Sequence, residues 1–123
     1  MARILLAEDE EILRMLVADT LEEEGYSLEE AADGEEALKK MLEHEYDLIL
    51  LDYMMPGYTG LELIEKIRNH PDKKNAKIMM LSAKSQAADQ ERVLDAGADY
   101  FMAKPFSPIQ LLEKIKEITG QDE

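Results

Sequence analysis

Cysteine is absent. That excludes a disulfide framework, thiolate zinc, iron–sulfur clusters and a cysteine nucleophile, and it is compatible with a reducing cytosol. Positive charge is scarce: 14 Lys+Arg stand against 28 Asp+Glu, a formal charge of −14. A surface so acidic repels nucleic acid and anionic lipid, so any influence on DNA has to pass through another molecule. No uninterrupted apolar run approaches the roughly 18 residues of a membrane span, and the apolar start Ile4-Leu5-Leu6 soon meets Glu8-Asp9-Glu10. The chain reads as soluble and unexported. The two histidines, His44 and His70, are isolated, which leaves softer metals without ligands. Internal repeats, low-complexity tracts and Pro/Gly/Ser linkers are missing too, so 123 residues with 46% hydrophobic content read as one domain with a proper core.

What is present is an alternation. Ile4–Ala7, Leu48–Leu51, Ile78–Leu81 and Tyr100–Ala103 are short apolar runs without polar alternation, and Ser27–Ala31 is a weaker, more polar one. Such runs suit strands buried on both faces of a parallel sheet. Between them lie helix signals. Asp33 with Glu36, Thr59 with Glu62 and Ser107 with Gln110 have capping-box spacing or its Asp analogue, and Pro108 stands at a first helical position. Gly25, Gly97 and Gly120 follow helical stretches. Apolar stripes run through Leu13, Leu16, Val17 and Leu21, through Leu63, Ile64 and Ile67, and through Leu111, Ile115 and Ile118. Strand then helix, five times over, predicts an α/β fold: a single-domain, open, doubly wound parallel sheet of five strands with helices on both faces. Ligands of such sheets bind beyond the carboxyl ends of the strands.

At those ends stand Glu8 and Asp9, Asp52, Ser82 and Lys104. Each has a bland explanation: charge at a helix amino terminus for Glu8 and Asp9, a turn former for Asp52 before Met55-Pro56-Gly57, a helix cap for Ser82, an exposed turn residue for Lys104 before Pro105. Their joint placement at the ends of successive inner strands favours a site. Three neighbouring carboxylates repel one another and need compensation, which Lys104 supplies in part. A hard divalent cation would supply the rest, and magnesium suits few carboxylates plus water and phosphate oxygens better than calcium does.

Leu6-Ala7-Glu8-Asp9-Glu10, Asp47 to Gly57 leading to Gly60, Leu81-Ser82-Ala83, and Gly97-Ala98-Asp99 running into Lys104-Pro105-Phe106 together resemble the receiver domain of two-component response regulators. The resemblance covers residues 1–123. It implies a flavodoxin-like (βα)5 sheet in the order 2-1-3-4-5 and a cytoplasmic regulatory phosphoacceptor with its own autophosphorylation and autodephosphorylation chemistry, not an enzyme. It also implies Asp52 as phosphoacceptor, Mg2+ held by Glu8, Asp9, Asp52 and the backbone carbonyl of Met54, and Lys104 on the phosphoryl oxygens, aimed by a cis peptide before Pro105. Ser82 and Phe101 would be the hydroxyl and aromatic that move on phosphorylation. The implied partners are a sensor histidine kinase or histidine phosphotransfer domain and a downstream output protein or effector domain, with no direct nucleic acid or membrane contact. The output face would comprise the helix after the fourth strand, the fifth strand and the last helix, and a phosphorylation-dependent homodimer could form there.

Glu8 stands where this family commonly has Asp, Ser82 where Thr is commoner, and Phe101 where Tyr is frequent. Met54, two residues past Asp52, is apolar and cannot orient an attacking water, which predicts a longer-lived phosphoryl group than in relatives with a polar residue there. The segment from Lys84 to Arg92 carries only small apolar side chains, so the opening turns of its helix should be weakly pinned. Met41, Met79 and Met80 read as core, and Met55 as part of a docking loop. Three alternatives remain: an unphosphorylated interaction module of the same shape, a flavodoxin-like electron carrier, and an aspartyl phosphatase. The second would want a phosphate-cradling loop where Glu8-Asp9-Glu10 stands, and the third a second acid at the place of Met54.

Overall fold

The computed structural model describes residues 2–120. Five strands alternate with five helices: β1 (Arg3–Ala7), α1 (Glu11–Glu23), β2 (Ser27–Ala31), α2 (Gly34–Glu43), β3 (Leu48–Asp52), α3 (Gly60–Arg68), β4 (Ile78–Ser82), α4 (Ala87–Asp95), β5 (Tyr100–Ala103) and α5 (Pro108–Thr119). All strand pairs are parallel, in the order β2-β1-β3-β4-β5. Every strand therefore ends on the same edge. Residues 121–123, the carboxyl end past Gly120, lie outside the described residues.

Period-two alternation divides the core. Leu5, Ala7, Ile49, Leu51, Ile78 and Met80 face α2, α3 and α4, while Ile4, Leu6, Leu48, Leu50, Met79 and Leu81 face α1 and α5. Helix starts follow the capping signals. Thr59–Glu62 and Ser107–Gln110 form reciprocal capping boxes, and Asp33 accepts the Glu36 amide while the Glu36 side chain reaches the Ala32 amide. Gly25 and Gly97 close α1 and α4 at φ of 91° and 121°, a left-handed conformation that side chains disfavour. On α1, Ala18 takes an inward place and Leu16 turns out to solvent. Met41, Met79 and Met80 are core, as the sequence suggested. Met55 is core as well, buried against the α2–α3 side, so the exposed thioether of that loop is Met54.

Two features set the mechanical character of the sheet. α4 is weakly held: Gln86 caps it with no side-chain hydrogen bond, and Val93 is its buried residue. Arg68, at the end of α3, instead ties three segments together. Its guanidinium donates to the carbonyls of Gly97 (3.0 and 2.7 Å), Lys74 (2.9 Å) and Ala76 (2.6 Å) and to Asp99 Oδ2 (3.0 Å). The same Asp99 oxygen accepts the Ile78 amide at 2.9 Å, which fixes the entry to β4.

Candidate functional site

Parallel register brings the sequence candidates to one edge. Ala7 pairs with Leu51, Asp52 with Leu81, and Ser82 with Ala103, so Glu8, Asp52, Ser82 and Lys104 leave the sheet side by side. Asp52 and Ser82 are the last residues of their strands. One oxygen from each of Glu8, Asp9 and Asp52 lies within 4.8 Å of the others. That is a hard, all-oxygen donor set of the kind magnesium takes. Asp9 is exposed, whereas Glu8 and Asp52 are 1% and 6% accessible.

Lys104 answers the two buried carboxylates. Its Nζ donates to Glu8 Oε1 at 2.7 Å and to Asp52 Oδ1 at 3.1 Å. Its backbone amide donates to the Ser82 carbonyl at 2.8 Å, and its peptide bond to Pro105 is cis. One ammonium between two carboxylates leaves a charge over. Burial, then the hydrogen bond and charge of Glu8, push the Asp52 carboxyl up to about 7 despite Lys104. Burial alone would lower Lys104, but hydrogen bonds to Glu8 and Asp52 and their charges win and hold it above its ordinary range. The extra methylene of Glu8 brings one oxygen to Lys104 while the other accepts the Glu10 amide at 3.1 Å.

Ser82 is buried, and its Oγ accepts the Lys84 amide at 2.9 Å, which leaves its own proton to give. Phe101 is half-buried on β5, opposite Met80 and against the α2–α4 side of the core. It is not part of the carboxylate cluster. The sequence reading missed Arg14, whose Nη1 donates to the Glu8 carbonyl at 2.7 Å. The available signal was its place one turn into the helix that follows Glu8-Asp9. A depression of about 350 Å³ lined by Glu10, Leu13, Ala83, Lys104, Pro105 and Phe106 adjoins the site.

Comparison with known proteins gives one consistent picture. A sequence model of the response regulator receiver domain matches residues 4–116. The transcriptional regulatory protein ResD of Bacillus subtilis is 43% identical over 116 residues, which are 94% of this chain and 47% of ResD. The phosphate regulon transcriptional regulatory protein PhoB of Klebsiella pneumoniae is 39% identical over 116 residues, 94% of this chain and 51% of that protein. The chain thus spans about half the length of these curated relatives. Among solved structures, the chemotaxis response regulator CheY4 of Vibrio cholerae superposes with a TM-score of 0.90 at 34% identity, covering 96% of this chain and 98% of that one. TrrA of Thermotoga maritima, in complex with Mg(2+)-BeF, gives 0.82 at 42% identity, covering 96% and 99%.

Proposed function

Because the chain belongs to the response regulator receiver domain family of two-component signalling, we propose that residues 1–123 form one receiver domain whose phosphoacceptor is Asp52, loaded from a histidine kinase or histidine phosphotransfer domain. The observation that carries this is the buried Asp52 carboxylate at a strand end, grouped with Glu8 and Asp9 and bridged by Lys104. An ionised Asp52 oxygen attacks phosphorus in line as the phosphorus–nitrogen bond of the donor breaks, and the electron pair leaves on the donor imidazole. Bound at Glu8, Asp9, Asp52 and the Met54 carbonyl, Mg2+ would keep Asp52 ionised and neutralise phosphoryl charge. The Met54 carbonyl accepts no protein hydrogen bond among the described residues, so it is available for that role. Lys104 transfers donors from the carboxylates to the phosphoryl oxygens, and the Ser82 hydroxyl adds another.

The donor would dock where Ile12, Met15 and Leu16 of α1 and Ile109 of α5 stand exposed, close to the depression beside Lys104. The acyl phosphate brings about −1.5 to −2 charges into the nest. Their pull on Ser82 and Lys104 moves Phe101 and the weakly pinned α4, so the α4–β5–α5 face carries the output and is where a phosphorylated homodimer would form. The downstream partner is an output protein or effector domain, and the setting is the cytoplasm.

Intact mass after treatment with acetyl phosphate and Mg2+ tests the reading. One phosphoryl group should appear, Asp52→Asn should abolish it, and amide exchange over residues 84–106 should change in the loaded form. Unchanged labelling of Asp52→Asn would overturn the assignment. Lifetime gives a second prediction. Met54 is 57% exposed and apolar, so Met54→Asn, which can orient water, should speed loss of the phosphoryl group severalfold in a phosphate-release assay. An unchanged rate would show that water approaches from elsewhere.

A further inference from the structure

Asp9 is the exposed carboxylate of the nest, at the centre of a turn whose peptide to Glu8 has few direct partners. Among the described residues its amide makes no protein hydrogen bond, and the carbonyl of the preceding Glu8 accepts a single one, from Arg14 Nη1 at 2.7 Å. The peptide unit joining the two carboxylate-bearing residues is therefore held directly by one guanidinium, at its carbonyl, within a turn that the Glu10 amide closes on Glu8 Oε2 at 3.1 Å. That guanidinium is itself held in place. Its Nε lies 3.4 Å from Glu30 Oε1, and the side chain is 18% exposed. Arg14 thus spans from the end of β1 to the edge strand β2.

We propose that Arg14 is a positioning residue for the metal carboxylates: by fixing the Glu8 carbonyl it sets the plane of the Glu8–Asp9 peptide and so the direction in which Asp9 presents its carboxylate. The inference rests on the proposed Mg2+ site and concerns how that site is held. Simple charge arithmetic opposes it. A cation close to a cation site weakens metal binding by repulsion, so deleting Arg14 for charge reasons alone should tighten Mg2+. Loss of orientation should loosen it, because a carboxylate that must be ordered on binding yields less net affinity. The two accounts differ in sign.

The test is direct titration of the metal-free protein with Mg2+, followed by tyrosine fluorescence and calorimetry, for the native chain, Arg14→Ala and Arg14→Lys, with thermal midpoints recorded without metal. Arg14→Ala should bind Mg2+ about tenfold more weakly. Arg14→Lys, which keeps one donor for the carbonyl, should recover most of the loss. With acetyl phosphate, Arg14→Ala should need more Mg2+ for half-maximal labelling yet reach the native rate at saturation. Tighter or unchanged Mg2+ binding in Arg14→Ala overturns the proposal, as does a fall in thermal midpoint with no change in affinity, which would mark Arg14 as a helix anchor. A native chain that binds no Mg2+ at all would instead sink the site reading itself.

Discussion

Replacing Asp52 with Asn should raise the thermal midpoint of the metal-free protein at about pH 8 and leave it nearly unchanged at about pH 3. The cause is the buried carboxyl, pushed up from 3.8 to about 7 chiefly by burial and by Glu8. Between those values the folded chain holds a proton that the unfolded chain has released. Stability from this group is thus complete below its unfolded value and is lost as pH rises through about 7. Asn is uncharged throughout and escapes that loss. Each pH unit of displacement corresponds to about 1.4 kcal/mol, and part relaxes through the shared Glu8–Lys104 network, so a gain on the order of 2 kcal/mol is expected. That should appear as roughly 5–10 °C in a thermal melt. Saturating Mg2+ should stabilise the native chain more than the variant and narrow the gap. A variant no more stable than the native chain at high pH would mean that Asp52 ionises without penalty.

The second large effect concerns Gly34. A Cβ there would sit 2.3 Å from the Tyr58 carbonyl oxygen, 2.4 Å from its nitrogen and 2.7 Å from its Cα. All three are backbone atoms, and the Gly34 amide also donates to the Pro56 carbonyl at 2.9 Å. The loop after Asp52 therefore rests directly on the start of α2. Gly34→Ala should cost about 3 kcal/mol, since a packed backbone cannot yield as a side chain does. The expected readout is a fall of about 10 °C in thermal midpoint, together with weaker Mg2+ binding as Met54 shifts. Gly60 offers a contrast. Its added Cβ would meet the flexible Met80 Sδ at 2.7 Å and the Asp52 carbonyl oxygen at 2.9 Å, so part of that strain can be relieved by a thioether rotation. A Gly34→Ala protein that melts with the native chain would refute the close approach.

The frame of this molecule was readable because its signals are local. Apolar runs marked β1, β3, β4 and β5, the capping pairs marked the starts of α2, α3 and α5, and strand ends in a parallel sheet necessarily share an edge. Strand order is a different matter: nothing in spacing distinguishes 2-1-3-4-5 from its rivals, and it came from the resemblance. What stayed hidden depends on contacts between distant segments. Met55 read as surface because it lies in a turn, yet the turn folds it inward beneath α2. Leu16 fits a helical stripe, but α1 is rotated so that Ala18 takes the inward place. Arg14 and Gly34 act through carbonyls contributed by Glu8 and Tyr58, and backbone atoms leave no trace in a residue pattern.

Arg68 gives the fifth strand two unlike extremities. Near its entry, Gly97 and Asp99 are gripped by a guanidinium that also holds the turn before β4, while its exit leads to Lys104 among the carboxylates. The foot of β5 is thus tied to α3 and to the turn before β4, while its head is tied to β4, where the Lys104 amide donates to the Ser82 carbonyl at 2.8 Å. On the proposed loading of Asp52, a pull on Lys104 would be felt first at the exit of β5, beside the start of α5, and least at the Asp99 end that Arg68 anchors.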